Sequence, residues 1–528
     1  NFSVKYSNIQ HPLKTHSSRA HPMFRKSQPS SHPDLFSNFD FHFKERKQNQ
    51  LNDENAWHNV FYRHITSKVN ESVFSVLYNA LKGRPNASIR QLFSMLVLKE
   101  GYGWSDAQLF EECRFNILTM RALGMMNLND EVPTESTYYL FKHSLYDYQR
   151  QTGQDLVSET FASLTQGQAQ HFGVVGDRIR MDSKLIGSNI ATCCRLQLIV
   201  NCLSVFWQSL DGQAKSRIDS ADQSVLEEIS QQKSHQYIYG LSNDEKSQHL
   251  EAFGVLLCRL QEAYTDSDSD HYGLLVRLLQ DQYTVQSKTV LPKASKDISS
   301  TSLQSVDDVD ATYRKKGDQK VKGYSANLTE TCNEEGLNMV TDVKVKPANA
   351  PDNKFVQQAI ESTEDIVGQV KEVSMDGAYN DGANTEYAQE EDKKFHYTGI
   401  QGAKGRFIYE RTEQGVEVTD RKTGEVLIAT QYKIGKYKII TDDKTHYFTV
   451  QDIDNYIKRK QIEDLAQDIK NRRNNVEASI FQLSFHTRNG KTRYRGLFKH
   501  QLWAFCRSLW MNLIRIKNYL AQPAQVPA

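Results

Sequence analysis

The chain has 528 residues, too many for one ordinary hydrophobic core, so we expect two to four units or one core that carries large insertions. Its 65 Lys and Arg residues nearly cancel its 64 Asp and Glu residues, which excludes a uniformly basic protein and confines any nucleic-acid-binding surface to a local patch. The seven cysteines include no CxxC pair, and no apolar run reaches the ~18 residues of a membrane span, so we predict a reduced, soluble, cytoplasmic protein without a membrane partner.

Residues 1–50 contain scattered His, Pro, Ser and Lys without a sustained apolar period, which predicts a disordered basic arm. The spacing of its histidines matches no metal-binding pattern. We therefore interpret them as solvated side chains: His11, His16, His21 and His32.

Residues 51–165 are predicted to form a helical N-terminal domain, because apolar residues recur at spacings of three and four and Ser88 is a plausible N-cap. We predict that this domain binds DNA. Its basic and aromatic residues fit a DNA surface and ordinary solvated helix faces equally well: Arg63, Arg84, Arg90, Arg114, Arg121, Tyr138, Tyr139 and Lys142.

The next segment, residues 166–195, contains the first strand of the predicted core. Ile179 and Met181 alternate with Arg180 and Asp182, the period-2 pattern of a strand with one apolar face, and we expect the strand to end at Asp182. Residues 196–298 are rich in Leu, Gln and Glu and are predicted to form a helical insertion that serves as a spacer or contacts DNA.

Residues 299–394 contain two alternating runs around the turn at residues 333–336, which predicts an antiparallel hairpin. A helix over residues 353–370 then leads into a strand that ends at Asp376, and Gly377 lets the chain turn. The order strand, hairpin, helix, strand begins an RNase H-like core, a mixed sheet flanked by helices.

Short strands joined by turns predict a small β insertion over residues 395–454. Residues 455–528 return to helix and complete the core. They contain fourteen Lys and Arg residues against four Asp and Glu residues, and Arg473 and Glu477 lie one turn apart.

Three carboxylates from distant parts of the chain are the predicted catalytic and metal-binding residues: Asp182, Asp376 and Glu477. Such acids repel each other unless they share divalent cations, and Mg²⁺, for which Mn²⁺ substitutes, binds carboxylate and phosphate oxygens. Two ions would support an in-line phosphoryl displacement. Singly, each acid has an ordinary alternative as a turn cap or a surface ion-pair partner, but one mechanism requires all three together.

The basic C-terminal segment supplies the predicted DNA-binding residues. They are Arg473, Arg472, Arg488, Lys491, Arg493, Arg495, Lys458, Arg459 and Lys460. Tyr494 and Trp503 are interleaved with them, and we favour a packing role over base stacking for both.

Several motifs together resemble a known family. The most distinctive read MDS at residues 181–183, MDGAY at 375–379 and TGIQG at 398–402. The others lie at residues 83–85, 133–138, 302–305, 310–314, 323–324, 473–477 and 494–497. In these stretches the chain resembles bacterial insertion-sequence transposases of the DDE superfamily, in the branch with a long helical insertion after the first Asp.

The resemblance implies an α/β fold, in which an RNase H-like mixed-sheet catalytic core carries the helical N-terminal domain, the helical insertion and the small β insertion. It implies Mg²⁺-dependent cleavage at transposon ends and strand transfer into target DNA. It also implies that the partners are double-stranded DNA, as terminal inverted repeats and target, and a second copy in a homodimer or larger synaptic complex. Asp182, Asp376 and Glu477 match the family triad, and Arg473 matches the arginine before the Glu.

Two positions depart from the related signature, which carries Tyr where this chain has Lys470 and Lys where it has Ser484. Lys491 or Arg488 are candidates to supply the missing charge. Two alternatives to a transposase remain: an inactive DNA-binding relative, and an RNase H-like nuclease without strand transfer.

Overall fold

A computed structural model describes residues 24–27, 34, 36–79, 85–286, 289–399, 405–413, 415–441, 444–472 and 474–522. The chain divides into two units, one formed by Asn1–Leu96 and Asp106–Leu156 and the other by Val97–Ser105 and Val157–Ala528. All seven cysteines are free thiols. Within the described ranges, the helices are too short or too polar to cross a membrane.

The first unit is helical, as predicted. Its helices are α1 (Phe39–His42), α2 (Glu45–Asn52), α3 (Trp57–His64), α4 (Ile89–Tyr102, whose last turns belong to the second unit), α5 (Asp106–Phe115), α6 (Ile117–Ala122) and α7 (Glu135–Thr152). The Ser88 hydroxyl caps α4 by accepting a 3.3 Å hydrogen bond from the Gln91 N–H, which confirms the predicted N-cap. Buried phenylalanines hold the helices together, with the Phe74 and Phe141 ring centroids 5.6 Å apart.

The prediction of disorder through residue 50 is wrong for its last part, which forms α1 and most of α2. The Asn38 side chain caps α1, and Phe39 and Leu51 bury their side chains almost completely. Two isolated apolar residues produce no periodic pattern in the sequence. Burying Phe39 and Leu51 nevertheless stabilises these two short helices. The four histidines interpreted above as solvated, His11, His16, His21 and His32, lie outside the described residues, whereas His42 is the last residue of α1.

The second unit combines helices and strands. In chain order they are α8 (Leu156–Phe172), β1 (Arg178–Gly187), α9 (Arg195–Ser209), α10 (Gly212–Lys215), α11 (Ser220–Gln231), α12 (Ser234–Tyr239), α13 (Asn243–Ala263), α14 (Asp270–Gln282), β2 (Tyr283–Gln286), β3 (Thr289–Pro292), β4 (Thr312–Lys316), β5 (Gln319–Thr331), β6 (Val340–Pro347), α15 (Val356–Val367), β7 (Glu372–Met375), α16 (Gly382–Glu390) and β8 (Lys394–Tyr397). The remaining elements are β9 (Phe407–Thr412), β10 (Gly415–Asp420), β11 (Val426–Ile428), β12 (Thr430–Lys433), β13 (Lys436–Ile440), β14 (Thr445–Thr449), α17 (Val450–Asp464), α18 (Gln467–Arg472), α19 (Asn474–Leu483) and α20 (Leu497–Leu520).

The main sheet has the strand order β4-β5-β1-β7-β8, and β6 also pairs with β5. The central strand β1 is antiparallel to β5 and parallel to β7, and β7 is parallel to β8. The sheet is therefore mixed, and the α/β prediction is confirmed. The predicted hairpin is confirmed as well, because β5 and β6 pair antiparallel.

One face of this sheet packs against α15. Ile179 and Met181 of β1 join Val373 and Met375 of β7 in a buried cluster with apolar residues of that helix. On β6, the Gln501 side chain of α20 donates to the Val343 carbonyl and accepts from the Val345 N–H, so the helix satisfies polar groups of this edge strand. Five apolar residues of α20, spaced three or four apart, are buried: Leu502, Phe505, Leu509, Leu513 and Ile516.

Helices α9 to α14 lie in the segment predicted as a helical insertion and share a hydrophobic cluster that includes Phe206, Trp207 and Leu257. The segment also contains a hairpin that the sequence analysis missed, since β2 and β3 pair antiparallel. Its two short, partly exposed strands gave no clear alternation of apolar and polar residues.

The predicted β insertion contains two three-stranded sheets, β11-β10-β9 and β12-β13-β14. Its predicted start at residue 395 needs correction, because β8 pairs with β7 and belongs to the main sheet. Its predicted end at residue 454 is also late, since α17 begins at Val450. Which sheet a short strand joins depends on partners that its own sequence does not specify.

Candidate active site

The two predicted aspartates lie at the same end of the parallel pair β1 and β7. The last paired residues are Arg180 of β1 and Ser374 of β7. Asp182 lies two residues further along β1, whereas Asp376 directly follows the last residue of β7, keeps an extended backbone and is the N-cap of a short 3₁₀ turn at Gly377–Tyr379. The prediction that Asp182 ends its strand is wrong, because β1 continues to Gly187 through its pairing with β5.

Both aspartates lie on the sheet face opposite the buried cluster with α15. Side chains alternate along a strand, so Arg180, Asp182 and Lys184 share one face of β1 while Ile179 and Met181 share the other. The same alternation on β7 separates Asp376 from Met375. Helix α19 packs on β1 and therefore adjoins the strand that carries Asp182.

Each aspartate is oriented in the same way by its own backbone. The Asp182 Oδ1 atom accepts a 2.8 Å hydrogen bond from the Ser183 N–H, and the Asp376 Oδ1 atom accepts one of 2.7 Å from the Gly377 N–H. Asp182 is only 9% exposed, whereas Asp376 is partly exposed. The pair therefore sits at a boundary between protein interior and solvent.

The Tyr379 phenol is fully buried and donates a 2.7 Å hydrogen bond to the Asn327 Oδ1 atom of β5. Burial first, and then the negative charges of Asp182, Asp352 and Asp376, hold the pKa of Tyr379 well above its ordinary value. The phenol therefore stays protonated and keeps its hydrogen bond to β5.

Glu477 lies in α19, where it is exposed. Two hydrogen bonds attach the segment 472–484, which includes α19, to β1: Arg180 Nη1 donates to the Arg472 carbonyl at 3.0 Å, and Lys184 Nζ donates to the Ser484 hydroxyl at 2.7 Å. Glu477 lies between the two attached residues of this segment, and Asp182 lies between the two donors on β1. It also lies two helical turns before Ser484, on the same side of the helix.

Mg²⁺ commonly binds one or two protein carboxylates and completes its shell with water and substrate phosphate oxygens. Asp182 and Asp376 fit that mode, because each carboxylate is oriented by a backbone donor, both lie at the same end of the β1 and β7 pair, and Asp376 is partly open to solvent. Among the residues that the structure describes, no group of three or more His, Cys, Asp or Glu side chains forms a candidate metal cage. The described residues therefore do not bring Glu477 into a three-carboxylate cluster with Asp182 and Asp376; what the structure shows is that its helix, α19, packs on β1.

A buried ionic cluster under α19 was not anticipated from the sequence. Glu330 of β5 is fully buried, and its carboxylate accepts 2.6 Å hydrogen bonds from Arg180 and Arg515. Burial raises the pKa of Glu330, but the charges of these two arginines outweigh it and lower that pKa below its ordinary value. The cluster fixes the strand and helix that flank the aspartates.

Two predicted DNA-binding residues are engaged inside the protein. Arg472 Nη1 donates to the Glu372 carboxylate at 2.8 Å, and Lys458 Nζ donates to the Asn380 and Thr385 side chains at 2.8 Å each. Arg459 is half-buried, Lys460 is exposed, and Arg473 lies outside the described residues.

The loop between α19 and α20 carries the other predicted DNA-binding residues. Lys491 Nζ donates to the Ile190 carbonyl at 2.8 Å, Arg495 pairs with Asp307 at 3.0 Å, and Arg493 Nη2 donates to the Gly103 carbonyl at 2.8 Å. Arg488 is exposed. This loop borders the end of β1, since the Thr492 N–H donates to the Gly187 carbonyl at 3.0 Å.

Of the two interleaved aromatics, Trp503 is buried, and the Tyr494 hydroxyl donates a hydrogen bond to Glu100. Packing, the favoured role, is therefore confirmed for Trp503. The Thr398 N–H donates to the Met375 carbonyl at 3.1 Å, which brings the start of the TGIQG stretch beside Asp376. The rest of that stretch, residues 400–402, lies outside the described residues.

The cation that contacts Ser484 is neither Lys491 nor Arg488 but Lys184 of β1. Burial lowers the pKa of Lys184 below its ordinary value. The sequence carried a signal for this residue, because Lys184 follows Asp182 by two positions and so shares its face of the strand.

Comparison with known families gives one match: residues 46–144 match the family described as a transposase domain (DUF772). The match covers part of the first unit and supports a transposase family for the chain. No curated protein and no solved structure matches the chain.

Proposed function

We propose that this protein is a DNA transposase of the DDE type, which cleaves the ends of its own mobile element and joins them to target DNA in a Mg²⁺-dependent reaction. The observation that supports the proposal best is the parallel pairing of β1 with β7: Asp182 lies in β1, Asp376 directly follows β7 at the same end of the pair, and α19, the helix of Glu477, packs on β1. The transposase-domain match at residues 46–144 supports it independently, since it lies outside these strands.

The topology of the main sheet supports an RNase H-like core. An antiparallel β6-β5-β1 run continues through β1 into the parallel strands β7 and β8, and helices lie on the two faces of the sheet. Without β4, which also pairs with β5, these five strands have the mixed arrangement expected of that fold. Asp182 would then occupy the central strand and Asp376 the end of the next.

Asp182 and Asp376 would hold Mg²⁺, with Glu477 as the third carboxylate. The bound ion would activate the attacking hydroxyl and stabilise the leaving oxygen in phosphoryl transfer. The protein's own contribution is orientation: the Ser183 and Gly377 N–H groups aim the two carboxylates. The Glu330 cluster meanwhile fixes β1 against the α19 side of the sheet.

The transposase match implies DNA as the partner. Arg488 and Lys460 are exposed and would contact its phosphates, whereas Arg472 and Lys458 would support the surface from within. We also propose that the active form is a dimer or a larger synaptic complex.

The test uses the full-length protein and duplex DNA that carries the inverted repeats flanking its reading frame. We expect Asp182→Asn, Asp376→Asn and Glu477→Gln each to reduce Mg²⁺-dependent cleavage by at least about a thousandfold while leaving DNA binding within about threefold. Asp454→Asn is the matched control, because Asp454 is an acid on α17 that pairs with Arg411. It should retain full activity.

The products separate the alternatives. Cleavage followed by joining supports a transposase, and cleavage without joining to any target supports the nuclease. Binding without cleavage by the wild-type protein, in Mg²⁺ and in Mn²⁺, supports the inactive relative. Full cleavage by all three carboxylate variants would refute the DDE assignment.

A further inference from the structure

Lys184 places a positive charge beside the aspartate pair, in a half-buried position on β1. Its Nζ atom donates a 2.7 Å hydrogen bond to the neutral hydroxyl of Ser484. Among the residues that the structure describes, no carboxylate forms an ion pair with Lys184 and no aromatic ring lies against its ammonium group. A partly desolvated charge without an anionic partner is unfavourable.

Other half-buried or buried lysines in the same unit are better compensated. Lys393 pairs with the Glu364 carboxylate at 2.6 Å and also donates to the Val370 carbonyl at 3.2 Å. The Lys346 ammonium lies 4.7 Å from the centre of the Phe355 ring and donates to the Lys354 carbonyl at 2.7 Å. Lys184 therefore has less compensation for its charge than Lys393 and Lys346, because its hydrogen-bond partner is one neutral hydroxyl.

The direction of the Lys184 side chain follows from its strand. It shares a face with Asp182, about 7 Å away along β1, and it reaches the side of α19 on which Glu477 lies two turns earlier. A phosphodiester held by the aspartates would bring its negative oxygens to this same face. An ammonium group is a point charge suited to binding one such oxygen.

Resting on the proposed function, we propose that Lys184 binds a non-bridging phosphate oxygen of the DNA strand held at Asp182 and Asp376, with the Ser484 hydroxyl positioning the ammonium group. This substrate contact supplies the anionic partner that the protein itself does not provide. It adds a cation from the central strand to the three carboxylates.

The first test measures DNA binding in EDTA across a series of salt concentrations, followed by cleavage in Mg²⁺. For Lys184→Met we expect the slope of log affinity against log salt to become shallower by about 0.9, the value for one lost phosphate contact. We expect cleavage to fall about tenfold to a hundredfold, the effect of one charge-assisted hydrogen bond. Lys184→Arg keeps the charge and should keep the slope.

The second test replaces single phosphates near the cleavage site by neutral methylphosphonates. At the phosphate that Lys184 contacts, the substitution should weaken DNA binding by the wild-type protein. It should not weaken binding by Lys184→Met any further, because that variant has already lost the same interaction. The control is Lys346→Met, which removes a half-buried lysine of β6 and should respond to every substituted phosphate as the wild type does.

The outcomes are distinguishable. Two results together would overturn the inference: an unchanged salt slope for Lys184→Met, and equal sensitivity of the wild type and Lys184→Met to methylphosphonate substitution. Lys184 would then be a structural residue that connects β1 to Ser484, after the end of α19. If the Met variant does not fold, Lys184→Gln serves in its place with the same expectations. If the wild-type protein cleaves no DNA in Mg²⁺ or Mn²⁺, the proposed function fails first; if it cleaves and Lys184→Met cleaves equally well, only this inference fails.

Discussion

The Ser479 hydroxyl of α19 donates a 2.7 Å hydrogen bond to the Glu330 carboxylate of β5, and this bond joins the helix that carries Glu477 to the strand next to β1. Glu330 is 0% exposed and also binds two arginines. The position of Glu477 therefore depends on a buried ionic cluster two residues away along α19.

Replacing Glu330 by Gln should destabilise the protein strongly, because Arg180 and Arg515 would keep buried charges without a countercharge. We expect the free energy of unfolding to fall by about 3 to 5 kcal/mol, measured by urea denaturation. The matched control is Glu334→Gln, which weakens an exposed pair with Arg178 and should cost at most about 1 kcal/mol. Equal losses in both variants would contradict the role of the buried cluster.

Asp342 of β6 should make stability depend on pH. It is buried, its Oδ2 atom has no hydrogen-bond partner among the described residues, and burial raises its pKa to about 7 against the opposing charges of Lys344 and Lys346. In the unfolded chain an Asp titrates near about 3.9. Between about pH 4 and pH 7 the folded protein thus holds a proton that the unfolded chain releases, so this carboxyl makes stability fall as pH rises, by up to about 1.4 kcal/mol per pH unit.

The Asp342→Asn variant removes that titration. Its free energy of unfolding relative to the wild type should therefore increase steadily from pH 5 to pH 7 in urea denaturation, and then remain constant above about pH 7. A difference that does not change with pH would show that the Asp342 carboxyl is not shifted.

Alanine substitutions of Arg488 and Arg472 should distinguish an arginine that contacts DNA from one that stabilises the fold. Arg488→Ala removes an exposed cation, so the salt dependence of DNA binding should become shallower by about one unit. Arg472→Ala breaks the 2.8 Å hydrogen bond to Glu372, so it should lower the free energy of unfolding by about 1.5 to 3 kcal/mol without changing the salt slope. The reverse pattern would place Arg472 on the DNA and Arg488 away from it.

Gly323 of β5 is expected to tolerate no side chain. A Cβ atom there would lie 2.6 Å from the Ser188 N atom and would also meet the Ile186 carbonyl, both backbone atoms of the paired chain. Gly323→Ala should therefore disrupt the end of the β1 and β5 pairing and lower the melting temperature by several degrees, with a loss of about 2 kcal/mol or more. Gly273→Ala in α14, where a Cβ meets nothing within 4 Å, should instead be neutral or stabilising by up to about 1 kcal/mol.

Local pattern was sufficient for several features near the site. Alternation around Met181 predicted β1, and the apolar run into Met375 predicted β7, which ends at Met375, one residue before the predicted end at Asp376. The turn at residues 333–336 predicted the β5 and β6 hairpin. These features depend on neighbours in sequence, which periodicity and turn chemistry describe directly.

The sequence did not reveal which basic side chains form hydrogen bonds or ion pairs with other residues of the protein. Arg472 and Lys458 belong to the same basic run as Arg488, yet they bind Glu372, Asn380 and Thr385. The run of charge was visible in the sequence, but the partner of each charge was not. A segment's net charge therefore predicted a basic neighbourhood without identifying which residues are exposed to a ligand.

By itself, the sequence indicated that Asp182 lies in a strand with one apolar face, that a second such strand leads into Asp376, and that Glu477 lies on a helix in a basic segment. Only the tertiary structure decided that β1 and β7 are parallel neighbours, with Arg180 paired to Ser374. It also decided that Glu330 is buried between two arginines and that Lys184 reaches Ser484. The physical reason is that strand pairing and the burial of charge depend on contacts between residues more than a hundred positions apart, whereas periodicity reports only the immediate surroundings of each residue.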